Sequence, residues 1–263
     1  MVKLVKKIAL STLSILGLSA LIWTIFLLNP SISYAHSTNI GQVTIYHNLD
    51  LAEGTERVII NAIEIIEAAD IYDADLKIQL CLNDDKIYPT LYPFAAATAY
   101  AFLNKTVIYA SEANFGNNYT EFQWEVNNYE IRRYNLTELL AHEFMHNLQH
   151  NQNPKYQILS TLGKANWILE GHAEYVSREF KNDGLLQNKI ENYLSEKDRK
   201  HIGIPVFKLE DGTIQNLAYY KYALIVQYLI DVRGLDYKQL CELNSSQDSL
   251  FSAMLDWNNE VKQ

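Results

Sequence analysis

Residues 139–154, LLAHEFMHNLQHNQNP, carry three of the seven histidines in the chain. Apolar residues recur in this stretch at the spacing of one helical turn: Leu140, Phe144 and Leu148. This spacing predicts an amphipathic helix over residues 136–150 whose apolar stripe faces the core. Asn135, with Glu138 three residues later, is typical of a helix start, and Pro154 disfavours helical geometry at the residue before it.

The histidines form a second stripe on the same helix: His142, His146 and His150. Neighbouring imidazoles lie one turn apart with about 40° between them, so two of them can reach one metal ion. Glu143 points about 100° away from His142, where it can contact a water molecule on the open side of the metal. His142, Glu143 and His146 thus match His-Glu-x-x-His, in which the glutamate is the base for zinc-bound water. The alternative is an ordinary solvated polar stripe.

Catalytic zinc usually has three protein ligands, so a further ligand is needed. His150 lies on the same helix, and three ligands on consecutive turns would be nearly collinear. We expect His150 at the solvated end of the helix, before Pro154. Residues 166–180, NWILEGHAEYVSREF, offer Glu170 and Glu174 one turn apart among apolar neighbours. Burying this helix brings at least one carboxylate inside, where a metal ion is a good partner. The alternatives are an exposed acidic stripe and a different metal site that uses His150 or His172.

Together, HEFMH (142–146) and WILEGHAEY (167–175) resemble the two metal-binding helices of the gluzincin metallopeptidases. The resemblance implies a zincin-like fold, peptide or protein substrates, and a Zn²⁺ ion bound by His142, His146 and Glu170. It implies that Glu143 is the catalytic base. It also implies that Glu174 lies outside the ligand set and holds the first histidine of the motif.

Residues 218–234, AYYKYALIVQYLIDVRG, are similar to a helix of the aminopeptidase branch of these enzymes. The leading tyrosine of that helix stabilises the oxyanion of the tetrahedral intermediate. Tyr219 is the best match, Tyr220 and His201 are rival candidates, and a tyrosine that merely packs is the alternative. The Gly-Ala-Met-Glu-Asn stretch that grips a free N-terminus in that branch is absent, which favours an endopeptidase. A strand from Thr106 to Ser111 is expected to pair with extended substrate.

The composition supports a globular protein with an acidic surface. Hydrophobic residues make up 48 % of the chain and charged residues 20 %, and the formal net charge is -9. An acidic surface repels phosphate backbones, so nucleic acid is not expected as a partner. Cys81 and Cys241 either pair with each other or are two small buried side chains.

The N-terminus indicates export. Lys3, Lys6 and Lys7 precede an apolar run from Ile8 to Leu28 that holds no charged residue. A basic flank before an apolar run is typical of a signal peptide, and residues 33–35 (SYA) offer small residues for cleavage before His36. The run is also long enough for an uncleaved transmembrane anchor. Either interpretation places the protein outside the cytoplasm, secreted or held at the membrane by one N-terminal helix.

The pattern of elements predicts an α+β fold: an N-terminal small β-sheet with one helix, then a mainly helical lobe, all behind the N-terminal apolar helix. We divide the chain into a signal peptide or anchor over residues 1–35 and a zincin-like metallopeptidase domain over residues 36–263. Residues 29–41 are predicted to be a linker, and residues 121–132 a helix. Strands are predicted near 42–47, 76–82, 95–102 and 106–111, and helices at 52–69, 136–150, 167–180, 185–196, 216–232 and 247–256.

Two function classes are consistent with these observations. The first is a zinc metallopeptidase that is exported or anchored. The second is a binding or structural protein built on a gluzincin scaffold without catalysis. The first is favoured because a scaffold without catalysis has no chemical reason to keep all four motif residues: His142, Glu143, His146 and Glu170.

Overall fold

The chain begins with a helix and a short turn. The computed structural model describes residues 2–83, 99–109, 113–123, 131–153, 155, 166–178, 185–199, 205–208 and 212–262. Helix α1 spans Val2–Leu28 and is followed by a 3₁₀ turn at Pro30–Ile32. Within these described ranges, no helix has both the length and the apolar character that crossing a bilayer requires.

A mixed five-stranded sheet forms the N-terminal layer. Its strands are β1 (His36–Ile40), β2 (Val43–His47), β3 (Ile78–Leu82), β4 (Ala99–Phe102) and β5 (Lys105–Ile108). Their order across the sheet is β1-β2-β3-β5-β4. The central strands β2, β3 and β5 run parallel, whereas β1 and β4 run antiparallel to their neighbours. Helix α2 (Thr55–Glu67) provides the crossover from β2 to β3 that a parallel pair needs.

The position of β5 corrects the prediction for the substrate-binding strand. Of the expected stretch from Thr106 to Ser111, residues 106–108 belong to β5, and residues 110 and 111 lie outside the described residues. β5 is hydrogen-bonded to β3 on one side and to β4 on the other, so its edges are not available to a peptide. β4 is the outermost strand at that end of the sheet.

Two further predictions fail in the first half of the chain. Residues 36–40, expected in a linker, form β1, because their backbone pairs in register with β2. The helix expected over residues 121–132 is wrong at both of its described ends, which belong to strands. A second sheet contains β6 (Ala113–Asn114), β7 (Tyr119–Gln123) and β8 (Ile131–Asn135). Cross-strand pairs such as Thr120 opposite Tyr134 suit a pleated surface better than a helix.

The second half of the chain is mainly helical, as predicted. Its helices are α3 (Leu136–Gln152), α4 (Trp167–Ser177), α5 (Leu186–Glu196), α6 (Leu217–Gln227), α7 (Tyr237–Cys241) and α8 (Gln247–Val261). A turn of π-helix at Tyr228–Val232 extends α6, and a small hairpin of β9 (Val206–Lys208) and β10 (Ile214–Asn216) precedes it. The predicted α+β class is confirmed.

Two apolar cores lie on either side of α4. The first joins the sheet to α2 and α3, and includes Ile45, Ile59, Leu80 and Phe144. The second joins α4 to α5, α6, α7 and α8, and includes Ile190, Leu224, Leu240 and Met254. Helix α4 contributes Ala173 to the first core and Ile168 to the second. It is therefore held on two sides, which fixes where its polar residues lie.

The two cysteines are free thiols. Cys81 is buried in β3, and burial raises the pKa of its thiol to about 12. Cys241 is partly exposed at the end of α7. The two cysteines are therefore not paired with each other, and of the expected buried side chains only Cys81 is buried.

Candidate metal centre

Helix α3 begins where the sequence predicts it. The side chain of Asn135 accepts a hydrogen bond from the backbone N–H of Glu138 at 3.2 Å, which caps the helix. Asn118, in the left-handed region with a φ of 55°, accepts hydrogen bonds from the backbone N–H and the hydroxyl of Thr137, both at 2.9 Å. The first turn is thus tied to the second sheet, and the buried stripe of Phe144 and its neighbours faces the first core.

Helix α4 places a carboxylate opposite α3. Asn166 caps it by accepting a hydrogen bond from the N–H of Ile168 at 3.0 Å. Gly171 allows α6 to approach α4 closely, because a Cβ atom at this position would lie 2.7 Å from the carbonyl oxygen of Tyr222. The packing of α4 against α3 and α6 turns Glu170 towards the histidines of α3.

Three ligand atoms converge between α3 and α4. The Nε2 atoms of His142 and His146 lie 3.0 Å apart, and Oε2 of Glu170 lies 3.4 Å from each of them. A tetrahedral zinc ion with bonds of about 2.1 Å keeps its ligand atoms about 3.4 Å apart. Among the residues that the structure describes, this is the group of three whose ligand atoms lie close enough together to hold a metal ion.

The contact that Nδ1 of His146 makes determines which of its two ring nitrogens faces the site. Its Nδ1 lies 2.7 Å from Oε1 of Gln149. The Gln149 amide nitrogen donates to the carbonyl of Leu169 at 3.0 Å, so the amide presents its oxygen to the histidine. Nδ1 must then carry the proton, which leaves the lone pair of Nε2 directed into the site. A metal ligand requires this tautomer.

His142 is held by a larger polar network that begins at Glu174. Nδ1 of His142 lies 3.5 Å from Oε1 of Glu174. The other oxygen of Glu174 accepts hydrogen bonds from Arg178 at 2.7 Å and from Gln215 at 2.6 Å. Arg178 also donates to Glu138, at 2.6 Å. The predicted place of Glu174, beside the first histidine and outside the ligand set, agrees with this geometry.

These contacts test whether the site fits a cation. Nδ1 of His146 faces the acceptor oxygen of Gln149, and Nδ1 of His142 lies 3.5 Å from Glu174, so both Nε2 atoms and the carboxylate of Glu170 point at one place. When electron-rich atoms lie so close together, they repel one another unless a proton or a metal ion lies between them. Two imidazoles and one carboxylate form a ligand set that zinc commonly takes. The residues present therefore fit the ion.

The electrostatics of the site keep the carboxylate ligand ionised. Burial alone would raise the pKa of Glu170, but His146 and His142 outweigh it and hold this pKa well below its usual range. Burial would likewise lower the pKa of His146, yet the Glu170 carboxylate raises it to about 9. The two groups stabilise each other's charged forms, so a positive charge in this place is favoured.

Glu143 is buried beside the ligands. Burial raises the pKa of its carboxyl; His142 and His146 oppose the rise, and the carboxylates of Glu170 and Glu174 add to it. A carboxyl group whose pKa is raised is a better proton acceptor than an exposed one. The role of base that the sequence motif predicts for Glu143 stays a prediction.

The structure separates the candidates for the oxyanion donor. The ring of Tyr219 is stacked on that of His142, with ring centroids 6.1 Å apart and an angle of 7° between the planes. Tyr220 instead belongs to the second core and stacks on Tyr193. His201 lies outside the described residues. Tyr219 is therefore the described candidate next to the metal ligands.

Two further histidines, His150 and His172, do not join the ligand group. His150 was expected at a solvated helix end, but it is buried on the last full turns of α3, and burial together with His146 lowers its pKa to about 4. His172 is also buried, with Nδ1 3.4 Å from Nε2 of Gln149 and Nε2 3.6 Å from Asp70. Within the part of the chain that the structure describes, neither histidine forms the alternative metal site.

Three residues of the network were not predicted from the sequence: Gln149, Arg178 and Gln215. Gln149 lies three residues after His146, a helical neighbour that can reach its outer nitrogen, so spacing could have indicated it. Arg178 lies four residues after Glu174 and could have been found by the same rule. Gln215 comes from β10, far along the chain, and no local pattern indicates it.

We predict that replacing Gln149 with leucine weakens zinc binding by about 10- to 100-fold, because Nδ1 of His146 loses its acceptor. Gln149→Glu is the matched control, since it keeps an acceptor oxygen but loses the donor to Leu169. Zinc competition against a chelator of known affinity measures the change. Equal zinc affinity in the leucine variant and the unaltered protein would show that Gln149 does not orient the ligand.

Comparison with known proteins gives one match. The model of the family Peptidase M9, described as collagenase, matches residues 104–261, which include both metal-binding helices and Tyr219. Searches of curated proteins and of solved structures gave no match. The match confirms the predicted kinship with zinc metallopeptidases and the predicted zinc cofactor. Because it covers more than half of the chain, this protein belongs to the collagenase family of zinc metallopeptidases.

Proposed function

We propose that this chain is a secreted endopeptidase that cleaves extended polypeptides at the site of His142, His146 and Glu170. Membership of the collagenase family supports zinc-dependent hydrolysis of peptide bonds. The observation that carries the proposal is the convergence of the three ligand atoms within 3.4 Å of one another, with Glu143 buried beside them. The catalytic unit proposed is residues 36–263.

The chemistry divides between the metal and the residues of the chain. Zinc, when bound by His142, His146 and Glu170, supplies a Lewis acid that polarises the scissile carbonyl and acidifies water. Glu143 accepts a proton from the attacking water and passes it to the leaving amine. Its buried position and raised pKa suit it to both steps.

Tyr219 is proposed to stabilise the oxyanion that forms when water attacks the carbonyl. Burial, followed by the charges of Glu170, Glu174 and Glu143, raises the pKa of its phenol far above the ordinary value, so the hydroxyl keeps its proton. A neutral hydroxyl near the ligands can donate a hydrogen bond to a developing negative charge. Its ring is stacked on that of His142 and lies tilted against that of Tyr222.

The proposed substrate is a polypeptide in extended conformation that adds to the sheet at β4. No described strand pairs with the outer edge of β4, and α3 packs close to this strand. Backbone hydrogen bonds to an edge strand hold a peptide without regard to its ends. This binding mode favours cleavage within a chain. Denatured collagen is the first substrate to assay, because the family is described as collagenase.

We predict that Glu143→Gln retains one zinc ion per chain and loses peptide hydrolysis by roughly 10²- to 10⁴-fold, because the proton acceptor is gone while the ligands remain. Elemental analysis measures the metal, and turnover of denatured collagen or another unstructured protein measures activity. Glu121→Gln, on β7, is the control and should behave like the unaltered protein. Unchanged turnover in Glu143→Gln would refute the mechanism. Zinc binding without any turnover in the unaltered protein would instead favour the non-catalytic scaffold.

For Tyr219→Phe we expect kcat to fall by about 100-fold with little change in KM, because a hydrogen bond made mainly in the transition state is lost. Zinc content should stay at one ion per chain. Tyr222→Phe removes a neighbouring hydroxyl and serves as the control, with nearly normal kcat. If the two variants have the same kcat, Tyr219 has no part in oxyanion stabilisation.

The proposal of secretion rests on the N-terminal sequence. We predict that the full chain, expressed in a bacterium, leaves the cytoplasm and that replacing Lys3, Lys6 and Lys7 with glutamate retains it there, since the basic flank directs export. Cell fractionation followed by immunoblotting measures the distribution. The proposal of export fails if both proteins stay in the cytoplasm.

A further inference from the structure

One buried side chain next to a metal ligand is bonded entirely to the β4–β5 hairpin. Asn147 follows His146 on α3 and is 0 % exposed. Its amide nitrogen donates to the carbonyls of Leu103, at 3.0 Å, and Lys105, at 3.1 Å. Its amide oxygen accepts a hydrogen bond from the hydroxyl of Thr106 at 2.8 Å. The side chain thus makes three hydrogen bonds to one end of one hairpin.

The end of the hairpin to which Asn147 is hydrogen-bonded determines the position of β4. Phe102 pairs with Lys105, so the hairpin turns through the two residues between them. Leu103 has a φ of 55°, in the left-handed region that two-residue hairpin turns use. Asn147 holds the carbonyl of Leu103 within this turn and two consecutive residues at the start of β5. Since β4 is joined to β5 in fixed register, the position of the edge strand along α3 follows from these contacts.

The helix connects this contact directly to the metal ligands. Neighbouring residues on a helix point about 100° apart, so Asn147 can face the hairpin while His146 faces the site. The imidazoles of His146 and His142 lie against separate partners, Gln149 and Glu174 respectively. Asn147 therefore connects the hairpin at the edge of the sheet to the helix that carries His142 and His146.

An apolar residue would pack a sheet onto a helix equally well. A buried amide is costly unless it is paired, and the amide of Asn147 is paired on both its oxygen and its nitrogen. A buried polar group whose bonds are all made specifies one arrangement, because a shift of one residue would break several bonds together. What Asn147 contributes beyond packing is thus the register between α3 and the hairpin.

We propose that Asn147 is a positioning residue that aligns the β4 edge with the metal ligands, and so determines which bond of a bound polypeptide lies at the site. This inference rests on the proposed function, because it takes β4 as the strand to which the substrate adds. It concerns only substrates long enough to pair with β4. A short substrate held mainly at the site does not depend on this alignment.

The test compares long and short peptides bound to the zinc-loaded Glu143→Gln protein, so that binding is measured without hydrolysis. Adding Asn147→Ala should weaken binding of an unstructured peptide of about ten residues by about tenfold, the change expected when roughly one net hydrogen bond is lost. Binding of a blocked tripeptide and the affinity for zinc should not change. Thr106→Val removes one of the three bonds and should have a smaller effect of the same kind.

Asn258→Ala is the matched control, because Asn258 is another buried asparagine but lies on α8. It should leave the ratio of long- to short-peptide affinity unchanged. In the background that retains Glu143, mass spectrometry of the products should show that Asn147→Ala and Thr106→Val add cleavage sites beside the original one.

Each outcome bears on a different claim. The positioning role of Asn147 is overturned if both variants leave the ratio of long- to short-peptide affinity unchanged, which includes equal weakening for the two peptides. Loss of zinc in both variants overturns it too, because the effect would then lie in the site itself. If the ratio changes as expected but the protein that retains Glu143 hydrolyses no peptide, the proposed function fails while the alignment role stands.

Discussion

The mutual repulsion of three electron-rich atoms organises the centre of this molecule. Two imidazole lone pairs and a carboxylate are directed at one place, an arrangement that is unfavourable unless a cation joins them. Other residues hold it: Gln149 orients His146, and Glu174 lies behind His142 with Arg178 and Gln215 as its own donors. Gln149 and Glu174 lie on α3 and α4 themselves, Arg178 ends α4, and Gln215 comes from β10. The hydrogen bonds of the helical lobe and the ligand geometry therefore depend on each other.

Much of the metal centre could be predicted from the sequence because its signals are local. The capping of α3, the histidine pair and the neighbouring glutamate all lie within a few turns of one helix, where spacing determines direction. Glu170 required a comparison of motifs, since residue spacing alone left Glu174, His150 and His172 open. Gln215 could not be predicted, because it reaches Glu174 only after β10 has folded against the helices.

The errors in the fold share a physical cause. β1 and the β7–β8 pair are short segments whose conformation is decided by backbone pairing with a partner strand, and residue preferences alone are weak there. The substrate strand was misplaced for a related reason: strand order is a property of the whole sheet. His150 was placed in solvent because the end of a helix was taken for an exposed end. It is instead buried, and its imidazole donates a hydrogen bond to the carbonyl of Leu103 in the β4–β5 turn.

The close approach at Gly171 has a consequence for motion. Where two helices meet through long side chains, rotamer changes let their separation vary, but here the backbone of α4 lies directly against that of α6 at Tyr222. Backbone contacts of this kind are stiff, because close-packed interiors have low compressibility. Glu170 is one residue before the contact, and Tyr219 is one turn before Tyr222. Thermal fluctuation should therefore carry the metal ligand and the tyrosine together, as one rigid unit.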